Sequence, residues 1–185
     1  MTIAHDNPPT ILLIGLRGSG KSTLGRRLAD DLSRPFVDLD DRTAAALGHA
    51  TPGDALRTEG IEAFRDAESR ALTAALDEPA SILALGGGTP TAPGAADFIN
   101  KHKADGSALV VYLRAEPTEL ASRLAAPGAP DRPALIGDDP ITEIGTLFDQ
   151  RDPLYRDLSD AVLHVGSTDE RSAYAMLRAW VPGPV

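Results

Sequence analysis

An α/β layer fold with about five mostly parallel strands is the architecture this sequence predicts. Two observations carry that expectation. Short apolar runs recur at 11–14, 36–37, 82–85, 109–113 and 161–165, without the period-two alternation of a half-exposed strand, as in strands covered on both faces. Longer stretches with helical spacing separate them, which puts crossover helices between parallel strands. The length of 185 residues fits one domain over 1–185, with 1–9 as an N-terminal tail.

Taken in order, the run 11–14 is the first strand, and "KSTLGRRLADDL" after it sets Leu24, Leu28 and Leu32 on one helical face. The second strand ends in "FVDLD". A helix then opens at "TPGDALRTEG", with Thr as cap and Pro in the first turn. In "IEAFRDAESRALTAAL" the residues Ile61, Phe64, Ala67, Ala71, Leu72 and Ala75 form a single apolar stripe. The third strand runs into "GGG", the fourth into the helix "EPTELASRLAA", and "TDERSAYAMLRAW" closes the chain as a helix. Residues 126–140, "APGAPDRPALIGDDP", have no regular pattern and read as a long solvated loop, which inside a compact domain is usually either disordered or functional.

Composition narrows the possible functions. The chain is 42% apolar and 24% charged, and no run nears the ~18 apolar residues of a membrane span. The N-terminus has neither the basic start nor the apolar stretch of a signal peptide, so a cytoplasmic location is expected. A net charge of −9 argues against nonspecific nucleic-acid binding and is compatible with a monomer. There are no cysteines, which excludes disulfides and thiolate chemistry, and the four histidines lack metal-ligand spacing.

Residues 15–23, "GLRGSGKST", satisfy G-x-x-x-x-G-K-[ST], the phosphate-binding P-loop pattern, and lie between an apolar strand and an amphipathic helix. Glycines let backbone N–H groups turn inward around phosphate oxygens, and the helix N-terminus adds a positive dipole. Gly15, Gly18, Ser19, Gly20, Lys21, Ser22 and Thr23 are therefore the candidate nucleotide-binding residues. Lys21 is one of only three lysines among 18 basic residues. It is expected to reach the β- and γ-phosphates of a nucleoside triphosphate, with the Ser22 hydroxyl on Mg²⁺.

Further constellations fall at carboxyl ends of strands, on the same sheet edge as the P-loop. Asp38 and Asp40, read as strand residues at i, i+2, point the same way; alone such a pair is most often a solvated strand exit or a helix cap, but beside a P-loop one carboxylate can serve Mg²⁺ through water while the other orients or deprotonates an alcohol. Gly86, Gly87 and Gly88 suggest close approach of backbone to a ligand. Arg65 lies in an Ala-rich helix, where a weak surface ion pair with Glu68 at i+3 is the plain alternative. Arg151 stands just before what reads as a proline turn.

Together "GLRGSGKS", "FVDLD", "FRDAE", "GGG", "RPAL" and "RDPLY" follow one another in the order of the shikimate kinase family motifs, so the chain resembles that family over roughly 11–165. The resemblance implies a three-layer P-loop kinase fold of the nucleoside-monophosphate-kinase type, with a mobile lid at about 126–140. It implies that shikimate is the small-molecule partner and that ATP and Mg²⁺ are needed, the product being shikimate 3-phosphate. By the same resemblance Asp38 would serve the metal together with Ser22, and Asp40 would bind and activate the 3-hydroxyl. Arg65 and Arg151 would clamp the substrate carboxylate, with Gly86, Gly87 and Gly88 against the ring. Lys21 and the lid residue Arg132 would neutralise the transferring phosphoryl group, and Arg123 with the turn at 165–170 would hold the adenine. Two departures, Ala134 in place of a lid leucine and Asp131 before Arg132, bear on lid closure rather than on the reaction. A related gluconate or nucleoside-monophosphate kinase, or a ligand-sensing regulator domain, is a competing reading. The triple glycine with its two arginines disfavours the first; the acidic charge and the early P-loop disfavour the second.

Overall fold

The computed structural model describes residues 8–78, 80–126, 139 and 141–181. Five strands form one parallel sheet in the order β2-β3-β1-β4-β5: β1 (Thr10–Ile14), β2 (Phe36–Asp38), β3 (Ile82–Ala84), β4 (Ala108–Arg114) and β5 (Ala161–His164). The register pairs Leu12 with Leu83 on one side and with Val110 on the other. Every residue of β1 and β3 is buried and β4 nearly so, whereas β2 and β5 at the edges are only partly covered. The apolar runs thus mark the strands to within about a residue or two, and continuous burial belongs to the three central ones.

Because β1 is central, with later strands added on both sides of it, the loop after it lies where the strand order reverses. Crevices at such switch points, outside the carboxyl ends of the strands, are where open α/β sheets bind ligands. The helix that follows, α1 (Lys21–Leu32), packs through Leu24, Gly25, Leu28 and Ala29. Gly25 lets it approach closely: a Cβ there would stand 2.6 Å from the Phe36 ring and 3.1 Å from Leu13.

Helix α2 (Leu39–Ala46) follows β2 with no intervening loop and was not evident in the sequence, nor were α4 (Ala95–Ala104) and α6 (Ile144–Leu158). Between α2 and β3 runs α3 (Pro52–Leu76), capped as expected by the Thr51 side chain, which accepts from the Asp54 N–H. At Gly60, φ is 81° and ψ 168°, so α3 is two helical pieces across a kink. That backbone conformation is essentially open to glycine alone. The kink explains a departure from the expected stripe: Phe64, Ala67, Ala71, Leu72 and Ala75 are buried, but Ile61 is 45% exposed. Buried Glu68 joins the stripe instead. A small separate cluster of Ala44, Ala55 and Phe64 ties α2 to α3.

Helices α5 (Pro117–Ala125) and α7 (Glu170–Trp180) lie where the sequence places them, the latter capped by Asp169. A second departure concerns Arg151. No turn follows it, because α6 continues through Pro153. Burial of Leu147, Phe148, Tyr155 and Leu158 on one side of that helix outweighs the backbone bond the proline removes. Most of the expected lid, with Asp131, Arg132 and Ala134, lies outside the described residues, as does most of the expected tail.

Gly25→Ala is expected to lower stability by about 1–2 kcal/mol, since the clash with Phe36 and Leu13 exceeds the gain in helix propensity. Urea unfolding would measure it, and a stabilised variant would contradict the close helix–sheet contact.

Candidate active site

Residues 15–20 wrap the N-terminus of α1, with Gly18 at φ 81° and Gly20 at φ 92°, conformations that direct successive N–H groups inward and suit glycine. Lys21 begins the helix and folds back over the loop, its Nζ donating to the Gly15 carbonyl at 2.8 Å and that of Leu16 at 3.0 Å. Ser19 is buried within the loop.

The Ser22 hydroxyl donates to Asp38 Oδ2 at 2.5 Å. A serine oxygen and a carboxylate brought together beside a phosphate loop suit Mg²⁺, which completes its shell with water and phosphate oxygens rather than with a protein cage. Consistent with that, no group of three or more ligating side chains occurs among the described residues.

Asp38 and Asp40 do not share a strand face as the i, i+2 spacing suggested. Asp38 ends β2 and caps α2, its Oδ1 accepting from the Asp40 N–H at 3.2 Å, and Asp40 occupies the first helical turn. Capping competes with strand extension for an aspartate at this point and wins. The two carboxylates part company: Asp38 accepts from Ser22, whereas Asp40, 8% exposed, lines a cavity with Lys21 and Arg65.

That cavity contains Lys21, Asp40, Arg65, Gly87, Gly88 and Arg151, with Leu56, Ile61 and Phe64 as an apolar wall. The outward turn of Ile61 is thereby accounted for. The turn at 86–88 is enclosed by side chains: a Cβ on Gly88 would collide with the Arg65 guanidinium, and one on Gly86 with the carboxylates of Asp40 and Glu68. At Gly87 there is room for a Cβ, but its carbonyl accepts from Arg151 Nη1 at 2.7 Å and from the Tyr155 hydroxyl. Burial pushes the Tyr155 phenol up to about 12 and keeps it a donor.

Glu68, which the plain alternative for Arg65 placed in a surface ion pair, is 1% exposed. Its Oε2 accepts from Arg65 Nη1 at 2.6 Å and its Oε1 from the Thr89 hydroxyl at 2.5 Å. Burial raises its pKa against the pull of Arg65 and Thr89, and nearby Asp40 raises it further. Among the described residues, Arg65 Nη1 is engaged by Glu68 and Arg151 Nη1 by the Gly87 carbonyl, with Tyr155 alongside. A guanidinium has five N–H groups, so both retain donors for a planar anion in the cavity.

On the opposite side of the P-loop a groove is lined by Gly18, Ser19, Gly20, Thr23, Arg123 and Thr168. Arg123 on α5 is no solvated surface residue: it donates to the carbonyls of Gly18 at 3.1 Å, Val165 at 2.6 Å and Gly166 at 2.8 Å. It thus joins the P-loop to the turn after β5. Glu68, Tyr155 and the apolar wall were not singled out from sequence. Glu68 and Tyr155 both sit inside quoted motifs, so the signal was present, but burial had to be known to interpret it.

The family model for shikimate kinase matches residues 17–180. A shikimate kinase of Mycobacterium avium is 38% identical over 170 residues, 92% of this chain and 90% of that protein. One of Burkholderia thailandensis is 35% identical over 163 residues, 88% and 84% of the two chains. Among solved structures, shikimate kinase from Acinetobacter baumannii in complex with shikimate superposes with a TM-score of 0.78 at 30% identity, covering 93% of this chain and 90% of that one. A gluconokinase from Sinorhizobium meliloti, at TM-score 0.60 and 18% identity over 96% and 95% of the chains, shares the fold.

The buried Glu68 has a pH signature. With its folded pKa raised above the ordinary 4.5, its contribution to stability is complete below that value and is lost as pH rises through the folded pKa. The stability difference between wild type and Glu68→Gln should therefore decline with rising pH above 4.5 in urea titrations. A difference that grows with pH would show that Arg65 outweighs burial.

Proposed function

The chain belongs to the shikimate kinase family, and on that premise we propose how its residues divide the transfer of the ATP γ-phosphate to the 3-hydroxyl of shikimate. The observation that carries the assignment is the convergence of Arg65 and Arg151 on the 86–88 turn, in one cavity with Asp40 and Lys21. Two guanidiniums with spare donors suit a carboxylate, and the Leu56, Ile61 and Phe64 wall suits the carbon ring it is attached to.

The P-loop amides and Lys21 hold the β- and γ-phosphates, and Arg123 with Thr23 lines the place of the base. Ser22 and Asp38 would hold Mg²⁺, which when bound would offset phosphate charge. Asp40 accepts a hydrogen bond from the substrate hydroxyl and takes its proton as that oxygen bonds to the γ-phosphorus. The bond from phosphorus to the bridging oxygen breaks, and ADP leaves with the electron pair. Lys21 stays with the phosphoryl oxygens throughout; Arg132, outside the described residues, is assigned to the same charge from the lid. Positioning and charge compensation suffice, with no covalent enzyme intermediate.

One domain acting as a cytoplasmic monomer, without nucleic acid, is part of the proposal. Among the described residues no helix is long and apolar enough to cross a membrane.

ADP release from Mg-ATP should require shikimate, with gluconate as the parallel acceptor. Arg65→Ala should lower kcat/KM for shikimate about 10- to 100-fold, the worth of a charged hydrogen bond. Turnover of gluconate in preference to shikimate would overturn the acceptor assignment while leaving the nucleotide site intact.

A further inference from the structure

Asp152 adjoins Arg151 on α6, yet its partners lie mainly on β4. Its Oδ1 accepts from the Tyr112 hydroxyl at 2.8 Å and from Arg114 Nε at 2.8 Å, and its Oδ2 accepts from Arg156 Nε at 2.8 Å. Tyr112 is 1% and Arg114 9% exposed. Arg114 also pairs with Glu116 and stacks over the Phe148 ring at 4.8 Å, a second tie from β4 to α6. Burial pushes the Asp152 carboxyl up, but the bonds from Arg156, Tyr112 and Arg114 outweigh it and hold the group below its usual range, as an anion.

The cluster reaches the acceptor cavity by two routes. Along the chain, Arg151 is the next residue. Through space, the Tyr112 ring stands edge-on to Tyr155 at 5.2 Å and 79°, and Tyr155 shares the Gly87 carbonyl with Arg151. This turn of α6 also lacks an anchor that other turns have. Pro153 has no N–H to give the Asp149 carbonyl, so side-chain bonds must fix what the backbone does not.

We propose that Asp152 is a positioning residue for the acceptor clamp, fastening the turn of α6 that bears Arg151 to β4 so that the guanidinium meets the substrate carboxylate at a fixed place. The inference rests on the reading of Arg151 as a shikimate ligand. Asp152 itself touches neither substrate, and its effect passes through Arg151 and Tyr155.

The test compares wild type, Asp152→Ala, Asp152→Asn, Arg151→Ala and the Arg151→Ala/Asp152→Ala double variant. The measured quantities are KM for shikimate, KM for Mg-ATP, kcat and Tm. Asp152→Ala should raise KM for shikimate about tenfold, as expected when a binding group is displaced by a fraction of an ångström. KM for ATP should be unchanged, and the substitution should add nothing once Arg151 is already alanine. Asp152→Asn, which keeps the shape and one acceptor oxygen, should give a smaller rise and covers the case in which the alanine variant fails to fold. Equal rises in both KM values together with a fall in Tm, or an undiminished effect in the Arg151→Ala background, would overturn the proposal and leave Asp152 a general structural residue. If Arg151→Ala raises KM for shikimate but neither Asp152 variant does, this inference alone fails; if Arg151→Ala leaves that KM unchanged, the clamp reading falls and takes the inference with it.

Discussion

The turn at Gly86–Gly88 is the constraint on which the rest of the proposed acceptor site depends. Arg65 occupies the space a side chain on Gly88 would need, and Asp40 and Glu68 occupy that of Gly86. Arg151 and Tyr155 close on the Gly87 carbonyl from α6. Groups from α2, α3 and α6 therefore take their positions from one strand end. The chain supplies that point rigidly, because β3 is wholly buried and paired on both sides, with β1 and β2.

A comparable economy holds on the proposed nucleotide side. β1 is the central strand, so the loop that follows it sits at the reversal of strand order and can face both a groove toward α7 and a cavity toward α3 and α6. Lys21 secures the loop through the Gly15 and Leu16 carbonyls, and Arg123 secures its Gly18 to the turn after β5. These ties hold the loop itself, and backbone N–H groups fixed in advance need not reorganise as charge develops, a main source of rate in phosphoryl transfer. Burying Glu68 beside Asp40 is unfavourable for a carboxylate in itself, yet it holds Arg65 in place, so stability is exchanged for position at this site.

Much of this was legible in the sequence, and the reason differs from element to element. The strands stood out because central parallel strands are buried on both faces and therefore continuously apolar. The P-loop stood out because its chemistry admits few residue types. Errors arose where one residue type serves two local structures. Asp38 and Asp40 read equally as a strand exit and as a helix cap, and Pro153 as a turn signal that tertiary packing of α6 overrode. Glu68 is the sharpest case: the i, i+3 spacing from Arg65 was plain, but only the fold reveals that the pair is inside. Gly60 was visible as a residue, while the kink it permits, which turns Ile61 to the cavity, was not.

The measurement that bears most directly on this arrangement is a crystal structure with shikimate and ADP bound. Its predicted result is the shikimate carboxylate held by Arg65 and Arg151 above the 86–88 turn, with the 3-hydroxyl on Asp40 and directed toward the P-loop. A carboxylate bound away from both arginines, or a 3-hydroxyl facing away from Asp40, would contradict it.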